Sequence, residues 1–204
     1  MSDDDDQLMQ AWVRGDARAF EALYRRHQGA LYRFVRRVLG RALEAQTDEV
    51  FQDTWARVIQ ARERWSPQGA AFRTWLFTLA HHRAIDCLRR SGRELSVDAA
   101  ADSDGFAPEG EAWSQWPGAE DNAPGPQEQA FWRAAGQRLL ACLEELPLAQ
   151  KSVFLLHHED GFSLDELAAS LDLGFETVKS RLRYAMGKLR TCMGAYLPAA
   201  EMPR

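Results

Sequence analysis

The chain has 204 residues, 46% of them hydrophobic and 27% charged, with a formal net charge of −5, which is enough apolar material for one large or two small cores. No apolar run reaches the roughly 18 residues of a membrane span, and residues 1–6 carry four consecutive aspartates where a secretion signal needs an apolar stretch. Membrane insertion and export are therefore excluded as expectations, leaving a cytoplasmic protein that starts with a disordered acidic tail. Cys87, Cys142 and Cys192 are odd in number, widely spaced and free of any Cys-x-x-Cys pair, so three reduced, packed thiols are expected. His81-His82 and His157-His158 are adjacent pairs without thiol or carboxylate company, which does not suit a metal. A phosphate-binding Gly-rich loop, a nucleophile elbow and a metal-ligand cluster are all missing, and neither catalysis nor a cofactor is expected.

Charge is unevenly placed. Residues 7–91 hold fifteen arginines against eight acids, whereas residues 92–127 hold Arg93 against eight acids. The first block reads as a basic helical domain spanning 1–91. The second, with four prolines and five glycines and no usable apolar period, reads as an acidic linker. Residues 128–204 return to helical periodicity, so an all-α protein of two small domains is expected, with no strand-like stretch.

In chain order, Asp16 is placed to cap a long helix that buries Phe20, Leu23, Tyr24, His27, Leu31, Phe34, Val35 and Val38. A second helix starts near Thr47-Asp48 and buries Val50, Phe51, Thr54, Trp55 and Val58. Asp48, Glu49, Gln52 and Asp53 cluster at its start, where acids suit the helix dipole and can equally form a partner surface. A third helix, Phe72 to Arg90, buries Phe72, Leu76, Leu79 and Ala80, and Trp75, Thr78, His82, Ile85 and Arg89 line another side. A stripe mixing aromatic and basic groups suits single-stranded nucleic acid, because bases stack on rings while cations follow the phosphates. The preceding loop adds Arg62, Arg64 and Trp65, although tryptophans at such positions also fill helical cores.

After the linker, Leu139, Leu140, Leu143 and Leu146 lead to Pro147, and Val153, Phe154 and Leu156 continue the pattern. Ser163 and Glu166 form a capping box that opens a short helix with Leu164, Leu167, Ala168 and Leu171 inward. Asp172-Leu173-Gly174 interrupts it, and a second helix from about Phe175 buries Val178, Leu182, Ala185 and Leu189, which makes a helix-turn-helix. The opposite face shows Glu176, Thr177, Ser180, Arg183 and Tyr184, with Lys179 and Arg190 on one flank and Arg181 and Lys188 on the other. Five bases against one acid, with short polar groups between them, is the layout of a helix that enters a major groove.

Taken together these segments resemble a bacterial RNA polymerase sigma factor of the extracytoplasmic-function group. The residues that carry the likeness are Gly15-Asp16-Ala17-Arg18-Ala19-Phe20-Glu21-Ala22-Leu23-Tyr24, Asp48-Glu49-Val50-Phe51-Gln52-Asp53-Thr54-Trp55, Phe72-Arg73-Thr74-Trp75-Leu76 with Asp86-Cys87-Leu88-Arg89-Arg90, Leu146-Pro147 and Glu176-Thr177-Val178-Lys179-Ser180-Arg181-Leu182. The resemblance implies that the chain binds core RNA polymerase on the clamp and flap of its large subunits, with Asp48, Glu49, Gln52 and Asp53 as the polymerase-binding residues at the clamp. It further implies that Arg62, Arg64, Trp65, Arg73, Trp75, Thr78, His82, Arg89 and Arg90 engage the minus-ten promoter DNA. Glu176, Thr177, Lys179, Ser180, Arg181, Arg183, Tyr184 and Lys188 would engage the minus-thirty-five element, and an anti-sigma factor would be the regulating partner. His81-His82 stands where the family usually has Arg-Asn, and Glu176 where it has glycine. The residues alone leave a one-component regulator that binds operators as a dimer open as well, although no coiled-coil seam is visible.

Overall fold

The computed structural model describes residues 2–66, 70–92 and 125–196. Within them every regular element is helical: α1 (Ser2–Val13), α2 (Ala17–Leu39), α3 (Thr47–Ala61), α4 (Phe72–Arg90), α5 (Pro126–Glu144), α6 (Leu148–His158), α7 (Leu164–Leu171) and α8 (Phe175–Met193), with short 3-10 turns between some of them. The acidic segment read as a linker lies, from 93 to 124, outside the described residues, and so does the loop Pro67-Gln68-Gly69.

The long second helix begins as expected, with the Asp16 carboxylate accepting from the Arg18 N–H at 2.9 Å. It ends at Gly40, whose φ of +69 turns the chain out of the helix in a conformation that favours glycine. Phe20, Tyr24, Phe51 and Trp55 form a ring cluster between α2 and α3. Helix α4 closes this bundle by burying Phe72, Leu76, Phe77, Ala80, Ala84 and Leu88 completely or nearly so.

The acidic start of the chain is not a disordered tail. It forms α1, in which Met9 and Trp12 are buried at the four-and-three spacing of an apolar stripe. Asp5 is also buried, paired with Arg26 and with His27, whose Nε2 lies 2.8 Å from Asp5 Oδ2. The N-cap residue of α4 is Ala71, which has no side-chain acceptor, and Asp6 supplies one from a distance: its Oδ1 accepts the Phe72 N–H at 2.7 Å. The aspartates thus answer cations and a helix N-terminus that belong to other parts of the chain.

In the C-terminal half, α6 runs through the centre, with every residue from Gln150 to Leu156 buried. Burial lowers the Lys151 amine, and Glu144, at 3.9 Å, only partly offsets this. Leu140, expected inside, is 43% exposed, because α5 turns only Ala135, Cys142 and Leu143 fully into the core. The expectation of three free thiols also fails. Cys142 and Cys192 form a disulfide, since α5 and the end of α8 pack side by side and bring their Cα atoms to 5.9 Å, while Cys87 stays free.

Two outcomes test this architecture. Met9→Ala should cost about 2–5 kcal/mol and Trp12→Ala about 3–5 kcal/mol in urea denaturation, whereas a disordered tail would leave the midpoint unchanged. A disulfide across a sequence separation of 50 residues should stabilise the C-terminal half by about 4 kcal/mol. Cys142→Ser, or reduction of the unaltered chain, should therefore lower its melting temperature by similar amounts.

Candidate nucleic-acid interface

The capping box forms as the sequence predicts. Ser163 N–H donates to Glu166 Oε2 at 2.8 Å, and Glu166 N–H donates to Ser163 Oγ at 3.2 Å. Burial would raise the Glu166 carboxyl, but the Ser163 bonds, the Thr74 hydroxyl and the Arg73 charge outweigh it and hold the group below its ordinary range. The glycine-bearing turn before the second helix makes its sharpest bend one residue after α7, not at the glycine. Asp172 takes the left-handed conformation (φ 53, ψ 51), which Asp tolerates better than most residues, and Gly174 is extended.

Helix α8 then buries Val178, Ala185, Leu189 and Met193 and keeps Leu182 half-buried. Its outward face is the predicted one. Glu176, Lys179, Arg183 and Lys188 are exposed, and Thr177, Ser180, Arg181 and Tyr184 are half-buried. Lys179 Nζ lies 3.7 Å from Glu176 Oε1, so the one acid on the face partly spends one of the bases. Arg183 sits over the Tyr184 ring at 5.3 Å, a contact that stiffens a long side chain without tying up its N–H groups. Ser180 Oγ donates to the Thr177 carbonyl at 2.9 Å and retains its lone pairs as acceptors.

On α4 the expected reading stripe divides. His82, Arg89 and Arg90 are exposed, whereas Trp75, Thr78 and Arg73 are half-buried. Trp75 packs against Phe72 with centroids 6.1 Å apart, and Trp65 rests against the same core, so both tryptophans are largely structural. Thr78 Oγ1 donates to the Thr74 carbonyl at 2.7 Å. Arg62 lies over the Trp12 ring at 5.8 Å and Arg64 is exposed beside it. The surface left for DNA on this half is more basic than aromatic. His81 is half-buried beside His82 with its Nδ1 shielded from water, and desolvation first, then the His82 charge, pushes it down to about 3, which keeps it neutral.

The acidic group on α3 also divides. Asp48, Glu49 and Gln52 are exposed, and Tyr32 Oη donates to Asp48 at 2.9 Å. Asp53 instead pairs with Arg83 of α4 and, at 3.4 Å, with Arg57. Two exposed residues, Tyr32 and Ile59, extend this face and were not picked out from the sequence. Ile59 could have been, because eleven residues after Asp48 is almost a whole number of helical turns, about 20° from the same line.

The fold brings together two faces that read as independent. His82, Ile85 and Arg89 of α4 look across one cleft onto Leu171 and Leu173 beside the α7–α8 turn and onto Arg181 of α8.

Known proteins supply the family. Sigma-70 region 2 matches residues 23–94 and Sigma-70 region 4 matches residues 136–189. The ECF RNA polymerase sigma factor SigL of Mycobacterium tuberculosis is 33% identical over 175 residues, covering 86% of this chain and 89% of SigL. SigK of Mycolicibacterium vanbaalenii, also an ECF RNA polymerase sigma factor, is 26% identical over 196 residues, covering 93% and 89%. Two solved structures share the fold. One is CnrH in complex with the cytosolic domain of CnrY (TM-score 0.64, 24% identity, 94% of this chain and 98% of that one). The other is the sigma factor RpoE in complex with the anti-sigma factor NepR from Bartonella quintana (TM-score 0.60, 19% identity, 86% and 96%). Both regions occur in order, each on its own helical bundle, and the chain belongs to the extracytoplasmic-function sigma factors of bacterial RNA polymerase.

Proposed function

We propose a division of labour within this sigma factor. Residues 1–91 bind the core polymerase clamp and open the minus-ten element, residues 128–204 read the minus-thirty-five element, and residues 92–127 connect them. The observation that carries this reading is α8, a helix with short polar groups and Arg183 at the centre of its outward face and Lys179, Arg181 and Lys188 on its shoulders. Ser180, Thr177 and Arg183 reach base edges in the major groove, and the shoulder cations hold phosphates and fix the register. On α4, His82 and Arg89 meet the opened strand, and Arg90, Arg62 and Arg64 follow its backbone. Trp75 and Trp65 stiffen that helix and its approach from within.

Asp48, Glu49 and Gln52, with Tyr32 bonded to Asp48, form the polymerase-binding patch, and Ile59 exposes an apolar group about 16 Å further along the same face of α3. Asp53 supports it from behind by tying α3 to α4. The chain supplies no catalysis of its own and acts in the cytoplasm, where the polymerase carries out the chemistry. A protein partner of the anti-sigma class holds it inactive. Support for that partner comes from the two structural neighbours, which were solved with CnrY and with NepR.

With a net charge of −5, the free chain should bind DNA weakly, because each phosphate contact adds only a salt-dependent increment and few are available. The polymerase must supply the rest. Run-off transcription with core polymerase should depend on this chain and on a specific upstream element; sequence-specific binding by the free chain as a dimer would overturn the reading. Arg183→Ala should relax preference at one upstream position by about 1–3 kcal/mol, whereas Lys188→Ala should weaken all sequences alike. In the polymerase-binding patch, Asp48→Lys should sharply reduce co-purification with core polymerase while lowering the melting temperature of the free chain only slightly, through the lost Tyr32 bond and first-turn dipole contact. Asp53→Asn should lower the melting temperature, with a loss of about 1 kcal/mol in the free chain.

A further inference from the structure

The turn between α6 and α7, Glu159 to Phe162, lies against the N-terminal half. The Glu159 carboxylate pairs with Arg37 of α2. Asp160 is only 3% exposed, and its Oδ2 has no hydrogen-bond partner. Gly161 holds a φ of +68, and a Cβ added there would lie 3.7 Å from Nη1 of Arg73. Phe162 is buried edge-on against Phe77 with centroids 6.0 Å apart, and the Arg73 guanidinium lies 5.7 Å from the Phe162 ring and 5.8 Å from that of Phe77. One turn further on, Thr74 Oγ1 donates to Glu166 Oε1 at 3.3 Å.

These contacts join residues of the two regions that bind different parts of a promoter, and they do so beside the reading faces. The cleft that His82 and Arg89 share with Arg181 has a volume of about 560 Å³. A double helix, whose major groove alone is about 12 Å wide, does not fit there. Arg73, expected on DNA, rests against the paired rings of Phe77 and Phe162.

We propose that the α6–α7 turn is an internal latch: it docks one half of the free chain on the other, keeps Arg181 facing the His82–Arg89 edge, and releases before the two halves engage separate promoter elements. The purpose of the latch rests on the promoter reading; its existence rests on the packing alone.

Asp160 makes the latch sensitive to protons. Burial pushes its carboxyl up to about 7, opposed by Arg73 of α4 and by Arg37 and Arg33 of α2 and reinforced by the neighbouring Glu159. Once the halves part, the carboxyl returns to water and to its ordinary value near 3.8. The closed form therefore binds the extra proton. Through Asp160, closure gains as the pH falls from 7 towards 3.8 and stays at its weaker limit above 7, while in stronger acid protonation of Glu166, whose carboxylate accepts from Thr74 across the same contact, opposes it. Between pH 8 and pH 6 the closing equilibrium should gain ~tenfold.

Small-angle scattering from the full free chain tests the latch without DNA or polymerase, so its failure would leave the promoter reading standing, which run-off transcription decides separately. Arg37→Glu or Glu159→Arg alone should raise the radius of gyration at neutral pH, and the two reversals together should bring it back. The unaltered chain should become more compact from pH 8 to pH 6, whereas Asp160→Asn, neutral at every pH, should be compact throughout. Single reversals that leave the scattering unchanged, a double reversal that fails to restore it, or a pH response that survives Asp160→Asn would each overturn the proposal.

Discussion

Much of the molecule depends on how completely α4 is surrounded. Six of its apolar residues are sealed into the core, and α1, α2, α3 and α7 all pack on it. A helix held from so many sides has little freedom to rotate, because its side chains interlock with four neighbours at close-packed density. Its remaining edge, His82 to Arg89, is then fixed in direction. The exposed edge of this helix is in this sense what remains after the core has been satisfied.

Electrostatics follows the same hierarchy. The fifteen arginines of residues 7–91 are not one uniform positive surface. Arg26 is taken by Asp4 and Asp5, Arg36 by Glu44, Arg83 by Asp53 and Arg37 by Glu159. A total of charges by segment therefore overstates what a nucleic acid meets. The arginines that remain exposed without a carboxylate partner are spread over several elements, Arg18 and Arg33 on α2 and Arg89 and Arg90 on α4 among them.

The sequence was most legible where a local rule and the global packing agree. The bounds of α4, the Asp16 cap, the Ser163–Glu166 box and the outward face of α8 all follow from spacing or from a side chain that satisfies its own helix. It was least legible where the deciding partner is distant in the chain. The aspartate run looks like a solvated tail until Arg26, His27 and the bare N-terminus of α4 are found beside it. Cys142 and Cys192 carry no motif, and only the pairing of α5 with α8 brings them within bonding reach. Trp65 and Trp75 were balanced between stacking and core by the sequence, and the packing of Trp75 on Phe72 and of Trp65 against the core decides mostly for the core.

The bond between Cys142 and Cys192 also has a mechanical meaning. It pins the last turn of α8 to α5, while the first turn, at Phe175 and Glu176, is exposed. At 19 residues, the helix is about 28 Å long, and Val178 near its start, Ala185 at its middle and Leu189 near its end are all fully buried. The covalent stop therefore completes a helix that packing already seats along its whole length, so its outward side chains are presented as one rigid row rather than as independently mobile groups.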